Sequence, residues 1–312
     1  MRVEALTLFL SVAQHRSISK AARQNFISQQ GASAIIKNLE SELGVSLFDR
    51  TPAGLQLTAA GCSIAQEAAK LVDSYRRLQM IASLEAIASA DKELTIITMP
   101  FITNQLEALF SEYELLAGGI QLRIIERSLF DIIDHYAEDG SEALHLIALP
   151  TFMTGIAARI SQDFQPLVPC ELMVACNRTS PYADRSQFTR AELASTPLAC
   201  YNEEFLNRLL AHLLGSQQPS IQMSTSNPAM IGRAVAGGAL VTFTDSLSVF
   251  LGRSDTETVV VPIEDSVEFL VGVLGVVPAQ GAAAQFMGFC QRYFATMCGP
   301  YLLQHGLTEE SA

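Results

Sequence analysis

Between residues 28 and 43 the apolar positions Ala32, Ile36, Leu39 and Leu43 recur at i, i+4, i+7 and i+11, which predicts an amphipathic helix with one buried stripe. Gln29, Gln30, Ser33 and Lys37 fall on the opposite face, and Ser28 stands at the position of an N-cap. Ala21, Ala22 and Phe26 supply the inner face of a shorter helix just before it, so residues 17–44 predict two helices around a short turn. A pair of this shape, with a polar leading end on its second helix, can enter a major groove and meet base edges. Residues 47–58 then set Thr-Pro-Ala-Gly between two short extended runs, the composition of a hairpin wing. From Thr58 to about residue 88 the pattern is helical again, with Ile64, Ala68, Leu71, Tyr75 and Leu78 alternating spacings of four and three. A seam of this kind asks for a partner helix and predicts a dimer; the other reading is packing on the chain's own second domain.

Beyond residue 92 the pattern changes to short apolar runs that alternate with helical stretches, at 94–98, 105–113, 121–126, 130–136 and 144–149. A second set covers 170–176, 198–201, 230–236 and 240–243, and a strand and helix over 269–277 and 283–297 return to the first set. The alternation predicts βαβ units on a mostly parallel sheet, arranged as two lobes with two crossovers.

Several motifs follow one another at the N-terminus. A short helix over residues 6–14 precedes Ser-Ile-Ser-Lys-Ala-Ala from Ser17, the pair Ser28-Gln29, Leu-Glu-x-Glu-Leu-Gly from Leu39, Leu-Phe-Asp-Arg-Thr from Leu47 and Leu-Thr-Ala-Ala-Gly from Leu57. In this order and spacing, over about sixty residues, they resemble the LysR-type transcriptional regulators. The resemblance implies an α/β protein with an N-terminal winged helix-turn-helix over residues 1–58, a dimerisation linker helix over 59–90 and a two-lobed, periplasmic-binding-protein-like effector domain over 91–312. Lobe I would comprise 91–163 and 267–312 and lobe II 164–266, with crossovers near 162–166 and 262–267. Ser28, Gln29, Gln30, Ser33 and Lys37 would face DNA, joined by Arg50 and Thr51 from the wing. Gln29 and Gln30 are either direct readers, since glutamine can pair bidentately with adenine, or solvated helix residues. Arg50 either reaches a phosphate, which positions without reading sequence, or forms an ion pair within the head. Gln30 stands where the family usually has proline and Ala34 where it usually has arginine, so base preference does not transfer from relatives.

Ligands of open α/β sheets sit beyond the carboxyl ends of the strands, and in a two-lobed module between the lobes. This nominates Pro100, Phe101, Ile102, Thr103 and Ser128 from the first lobe and Tyr201, Asn202 and Thr225 from the second. The helix after Ile102 would offer free N–H groups to an anion. Thr225 to Asn227 serve equally well as helix caps. Ile97, Phe101, Arg127 and His145 differ from common relatives and make the first-lobe wall less polar, which favours an apolar or aromatic effector; Arg127 could instead pair an anion. His145 reads as a satisfied near-core histidine.

Composition adjusts this picture only slightly. The net charge of −12 divides into nine Lys/Arg against seven Asp/Glu in residues 1–90, a balance of +2, and eleven against twenty-five downstream, −14. Counterion release should therefore drive DNA binding weakly per head, and paired heads matter more. Six cysteines without metal-ligand spacing imply no structural zinc, and the chain shows neither a signal-peptide pattern nor a run of eighteen apolar residues. A cytoplasmic, non-membrane protein is expected, without cofactor, metal or catalytic residues. Its expected partners are double-stranded promoter DNA, a small-molecule effector and itself, as a homodimer or homotetramer, with RNA polymerase as a further candidate. The nearest alternative is a thiol-based redox sensor of the same fold, because Cys200 lies beside Tyr201. A cleft enzyme lacks any nucleophile, phosphate-loop or His-Glu-x-x-His motif, and a solute-binding protein lacks its leader.

Overall fold

The chain opens on helices α1 (Val3–His15), α2 (Ile18–Gln24) and α3 (Gln29–Leu43), followed by the hairpin strands β1 (Phe48–Thr51) and β2 (Gly54–Leu57) and the long helix α4 (Ala59–Glu85). Leu6, Phe9, Val12, Ala21, Ala22, Ala32, Ile36, Leu39 and Leu47 form one buried core, so the period read from α3 puts its apolar stripe against α1 and α2. The hairpin is antiparallel and joins this core through Phe48, whose ring meets Phe9 edge to face at 5.4 Å. Thr58 caps α4 by accepting from the Gly61 N–H at 2.8 Å while its hydroxyl donates to the Ser46 carbonyl. Gly61 is dictated by close approach: a Cβ there would stand 2.2 Å from the Leu47 carbonyl oxygen. The same corner explains Glu40, whose carboxylate accepts from the Leu47 N–H at 2.8 Å.

The structure, a computed structural model, describes residues 2–25, 27–51, 54–85, 93–117, 120–139, 143–250 and 257–304. Phe26, expected on the inner face of α2, lies outside them. The chain divides into two units, Met1–Ala86 with Gly299–Gln304, and Ile87–Cys298 with His305–Ala312. One expectation about α4 is corrected. Ala68 and Val72 are buried in the head's own core and Ile64 packs against it, so the first half of the expected seam is spent within the chain. Leu71, Tyr75, Leu78 and Ile81 remain exposed, at 52%, 41%, 64% and 47%. A helix this long has more than one apolar face, and spacing alone merged two of them.

The second unit runs β3 (Glu93–Thr98), α5 (Pro100–Gln105), α6 (Glu107–Leu116), β4 (Gln121–Glu126), α7 (Leu129–His135), β5 (Ala143–Pro150), α8 (Thr154–Ile160) and β6 (Phe164–Asn177). It continues through α9 (Arg190–Ser195), β7 (Leu198–Tyr201), α10 (Glu204–Leu214), β8 (Ile221–Thr225), α11 (Pro228–Ala236), β9 (Thr242–Asp245), α12 (Ser246–Phe250), β10 (Thr258–Val261), β11 (Glu268–Leu274) and α13 (Ala282–Gln304). A seven-stranded sheet has the order β10-β6-β11-β5-β3-β4, with β9 also on β6, and β7 and β8 pair separately. β4, β3 and β5 are parallel, as βαβ units require, and β11 lies antiparallel between β5 and β6. The first crossover, expected near 162–166, is instead one continuous strand: β6 pairs with β11 up to Glu171 and with β9 and β10 from Leu172 onward. The return passes through residues 262–267 between β10 and β11. The result is two lobes sharing β6, the first built on β3, β4, β5 and β11, the second on β7 to β10.

Candidate functional site

The polar end of α3 is assembled by its cap. Ser28 sits in an extended conformation and its hydroxyl accepts from the Gly31 N–H at 3.0 Å, which satisfies one orphan donor of the first turn. Gln29 and Gln30 follow immediately and are exposed, Ser33 is half-buried, and Lys37 is exposed two turns on, beside the buried stripe of Ala32, Ile36 and Leu39. Four polar side chains therefore share one solvent face of a helix whose other face is fixed in the core. Two amide side chains lead it, each carrying a donor and an acceptor in the geometry that an adenine edge complements. The side chains of Arg50 and Thr51 lie outside the described residues, although both backbones pair within the hairpin. In the turn before α2 the Arg16 carbonyl accepts from the Leu55 N–H at 3.1 Å, which ties the wing to the helices.

The proposed effector residues stand at the carboxyl ends of β3, β4, β7 and β8. β3 ends at Thr98, whose buried hydroxyl donates to the Leu146 carbonyl, and α5 begins at Pro100 and runs only six residues. Phe101 points into the second lobe: its ring centroid lies 4.9 Å from that of Phe205 on α10 and 5.6 Å from that of Phe269 on β11. Ile102 is wholly buried. The hydroxyls are largely committed to backbone. Thr103 donates to the Met99 carbonyl at 3.5 Å, Ser128 caps α7 by accepting from the Asp131 N–H, and Thr225 accepts from the Asn227 N–H. Tyr201 is half-buried and Asn202 exposed, with the Asn202 N–H on the Thr225 carbonyl. Arg127, a candidate for pairing an anion, instead donates to Asp139 at 2.9 Å, and His145 Nε2 lies 2.9 Å from the same carboxylate oxygen. Burial opposes charge on Asp139, but its bonds from His145 and Arg127 outweigh this and hold the carboxyl below its usual range.

The sequence reading passed over α10, which decides the geometry. Phe205, Arg208 and His212 recur at i, i+3 and i+7 and each meets an aromatic ring of the first lobe. Phe205 packs on Phe101 and Phe269; the Arg208 guanidinium lies 4.3 Å from the Phe130 ring centre; His212 stacks on Phe152 at 3.8 Å with the rings 3° from parallel. A hydrogen bond from Ser248 on α12 to Gln105 on α5 adds a polar link between the lobes. At the strand crossing beneath them a 210 Å³ cavity is lined by Thr151, Cys170 and Phe269 among others. Cys200 is buried, and burial pushes its thiol up to about 11, so little thiolate forms near neutral pH. No group of His, Cys, Asp and Glu suited to a metal ion occurs among the described residues, and no helix among them is long and apolar enough to cross a membrane.

Comparison with known proteins follows the same division. Residues 3–62 match the family described as bacterial regulatory helix-turn-helix protein, lysR family. A RuBisCO operon transcriptional regulator of Allochromatium vinosum is 28% identical over 167 residues, 52% of this chain and 53% of that protein, so the match spans about half the length of this relative. An uncharacterized HTH-type transcriptional regulator of Mycobacterium bovis is 27% identical over 247 residues, 74% of this chain and 76% of that one. Among solved structures, a cysteine mutant of OxyR from Corynebacterium glutamicum aligns at 19% identity and a TM-score of 0.50, covering 98% of this chain and 97% of the other, a likeness of fold.

Proposed function

Because residues 3–62 match the helix-turn-helix of the lysR family, we propose that the chain is a LysR-type transcriptional regulator that binds promoter DNA through the leading turn of α3 as a paired head, under control of a small molecule acting on the two-lobed domain. The observation that carries the reading is the capped, exposed Gln29-Gln30 turn standing on a fixed core. Ser28 and Ser33 would serve backbone or base edges, Lys37 would add a phosphate contact, and Arg50 and Thr51 would do the same from the wing. In this reading residues 1–58 are the head, 59–90 the joining helix and 91–312 the sensing part. A second copy of the chain would cover Leu71, Tyr75, Leu78 and Ile81, an apolar row that a cytoplasmic monomer would leave in water.

Control by a cleft ligand would work as displacement. A molecule that reaches Phe101 and Ile102, with Pro100, Thr103, Ser128, Tyr201, Asn202 or Thr225 around it, would displace Phe205 of α10 from the first lobe, and it shifts the assembly only to the extent that it binds the parted state more tightly. The raised Cys200 thiol favours this over the redox reading. Selection from a random pool of duplex DNA by the purified chain tests the proposal. Enrichment of a sequence with two related half-sites is expected, and an unenriched pool would overturn it.

A further inference from the structure

A cavity of about 460 Å³ opens in the first lobe at the end of the sheet away from α10. The ladder between β5 and β11 fixes its place: Pro150 pairs with Phe269 at the α10 end, and His145 pairs with Leu274 beside the cavity, five residues or roughly 17 Å away. Tyr136, Ala143, His145, Asp163, Gly275 and Ala283 supply its walls from five separate segments. Its volume falls in the range of small-molecule sites, about 300–1,000 Å³.

The polar groups facing it are acceptors. His145 is 3% exposed, and its Nε2 is engaged by the Asp139 carboxylate, which can only accept. In the neutral ring Nδ1 therefore presents a lone pair, and among the described residues it has no partner. Nδ1 lies 4.0 Å, and the Tyr136 ring 3.6 Å, from the point where a Cβ on Gly275 would stand. Gly275 has φ +100°, a conformation that excludes most side chains, so no side chain fills the space beside the two rings, which meet edge to face with centroids 6.2 Å apart. The Tyr136 hydroxyl donates to one Asp163 oxygen at 2.7 Å, and the other oxygen adds a second acceptor. The lining contains no Lys or Arg, while Val273, Val277 and Pro278 make the remaining wall apolar.

We propose that this cavity is a binding site, separate from the inter-lobe cleft, for a small uncharged aromatic molecule that donates a hydrogen bond to His145 Nδ1 and packs its ring beside Tyr136. An anion is disfavoured, because Asp163 would repel it and the lining itself holds no Lys or Arg. The choice of donor over acceptor applies to the neutral His145 ring, whose single N–H is the one that Asp139 accepts.

Methyl-detected NMR titrations of the full chain with phenol, benzoate and toluene test the assignment. Saturable shifts confined to the Val276, Val277, Ala143 and Ala283 methyls are expected with phenol, and at least tenfold weaker binding of both benzoate and toluene. Ala143→Leu and Ala283→Leu fill the cavity from two different elements, and either variant that retains its thermal transition should lose the phenol shifts. His145→Phe keeps the ring and removes the acceptor, and should bring phenol down to the level of toluene. Phenol binding that survives both filling variants, benzoate binding as tight as phenol, or shifts only around Phe101 and Phe205 would overturn the proposal.

Discussion

Single residues carry constraints that separate cleanly in measurement. A Cβ at position 61 would meet the Leu47 carbonyl at 2.2 Å, whereas one at position 155, in the first turn of α8, meets nothing within 4 Å. Gly61→Ala should therefore lower stability by about 1–3 kcal/mol, and Gly155→Ala should raise it by about 0.4–1 kcal/mol, both read from urea unfolding. Glu192 offers a pH test. It accepts from the Thr189 N–H and the Arg185 side chain in a capping box on α9, and these bonds lower its carboxyl from 4.5 to about 2. A depressed folded value means that stability is present above the ordinary carboxylate value and lost as pH falls toward about 2. The melting temperature of the wild-type chain should exceed that of Glu192→Gln near neutral pH and converge on it in acid; a constant difference would show that the pairing contributes nothing.

At the scale of elements, α4 and α10 each present more than one face. On α4, Ala68 is buried in the head and Leu71 is exposed. Ala68→Asp should unfold the head, since it places a charge in the core, while Leu71→Asp should leave the head folded and halve the sedimenting mass. An unchanged mass with Leu71→Asp would remove this row from the dimer contact. On α10, Phe205→Ala should cost about 3–5 kcal/mol, while His212→Ala, at an exposed stack, should cost about 0.5–1.5 kcal/mol and lower the effector concentration needed for half-response. The contrast between these helices shows what was legible. The α3 stripe, the Ser28 cap, the hairpin and the β7 strand could be read because cap chemistry and short-range periodicity decide them. The apolar spacing of Leu206, Leu209, Leu210 and Leu213 was equally plain in α10 but was passed over. Which way Phe205, Arg208 and His212 turn could not be read at all, because their partners Phe269, Phe130 and Phe152 are distant in sequence. For the same reason the aromatic contacts of α10 with the first lobe could not be foreseen, nor the cavity beside His145, which is walled by five separate segments.

For the whole molecule the charge distribution sets the terms of DNA binding. With a balance of only +2 in residues 1–90 and −14 downstream, a single head gains little from counterion release, so specificity must come from base contacts and from two heads held in register. The central claim is that the leading turn of α3 does the reading. Gln29→Ala and Lys37→Ala, compared with the wild-type chain for base preference across all single-base variants of its selected site, test that claim most directly. Gln29→Ala should erase preference at one position in each half-site, a loss of about 1–3 kcal/mol of discrimination, while Lys37→Ala should weaken every variant alike and reduce the salt dependence. An unchanged preference profile in Gln29→Ala, with altered base preference in Lys37→Ala, would contradict the account.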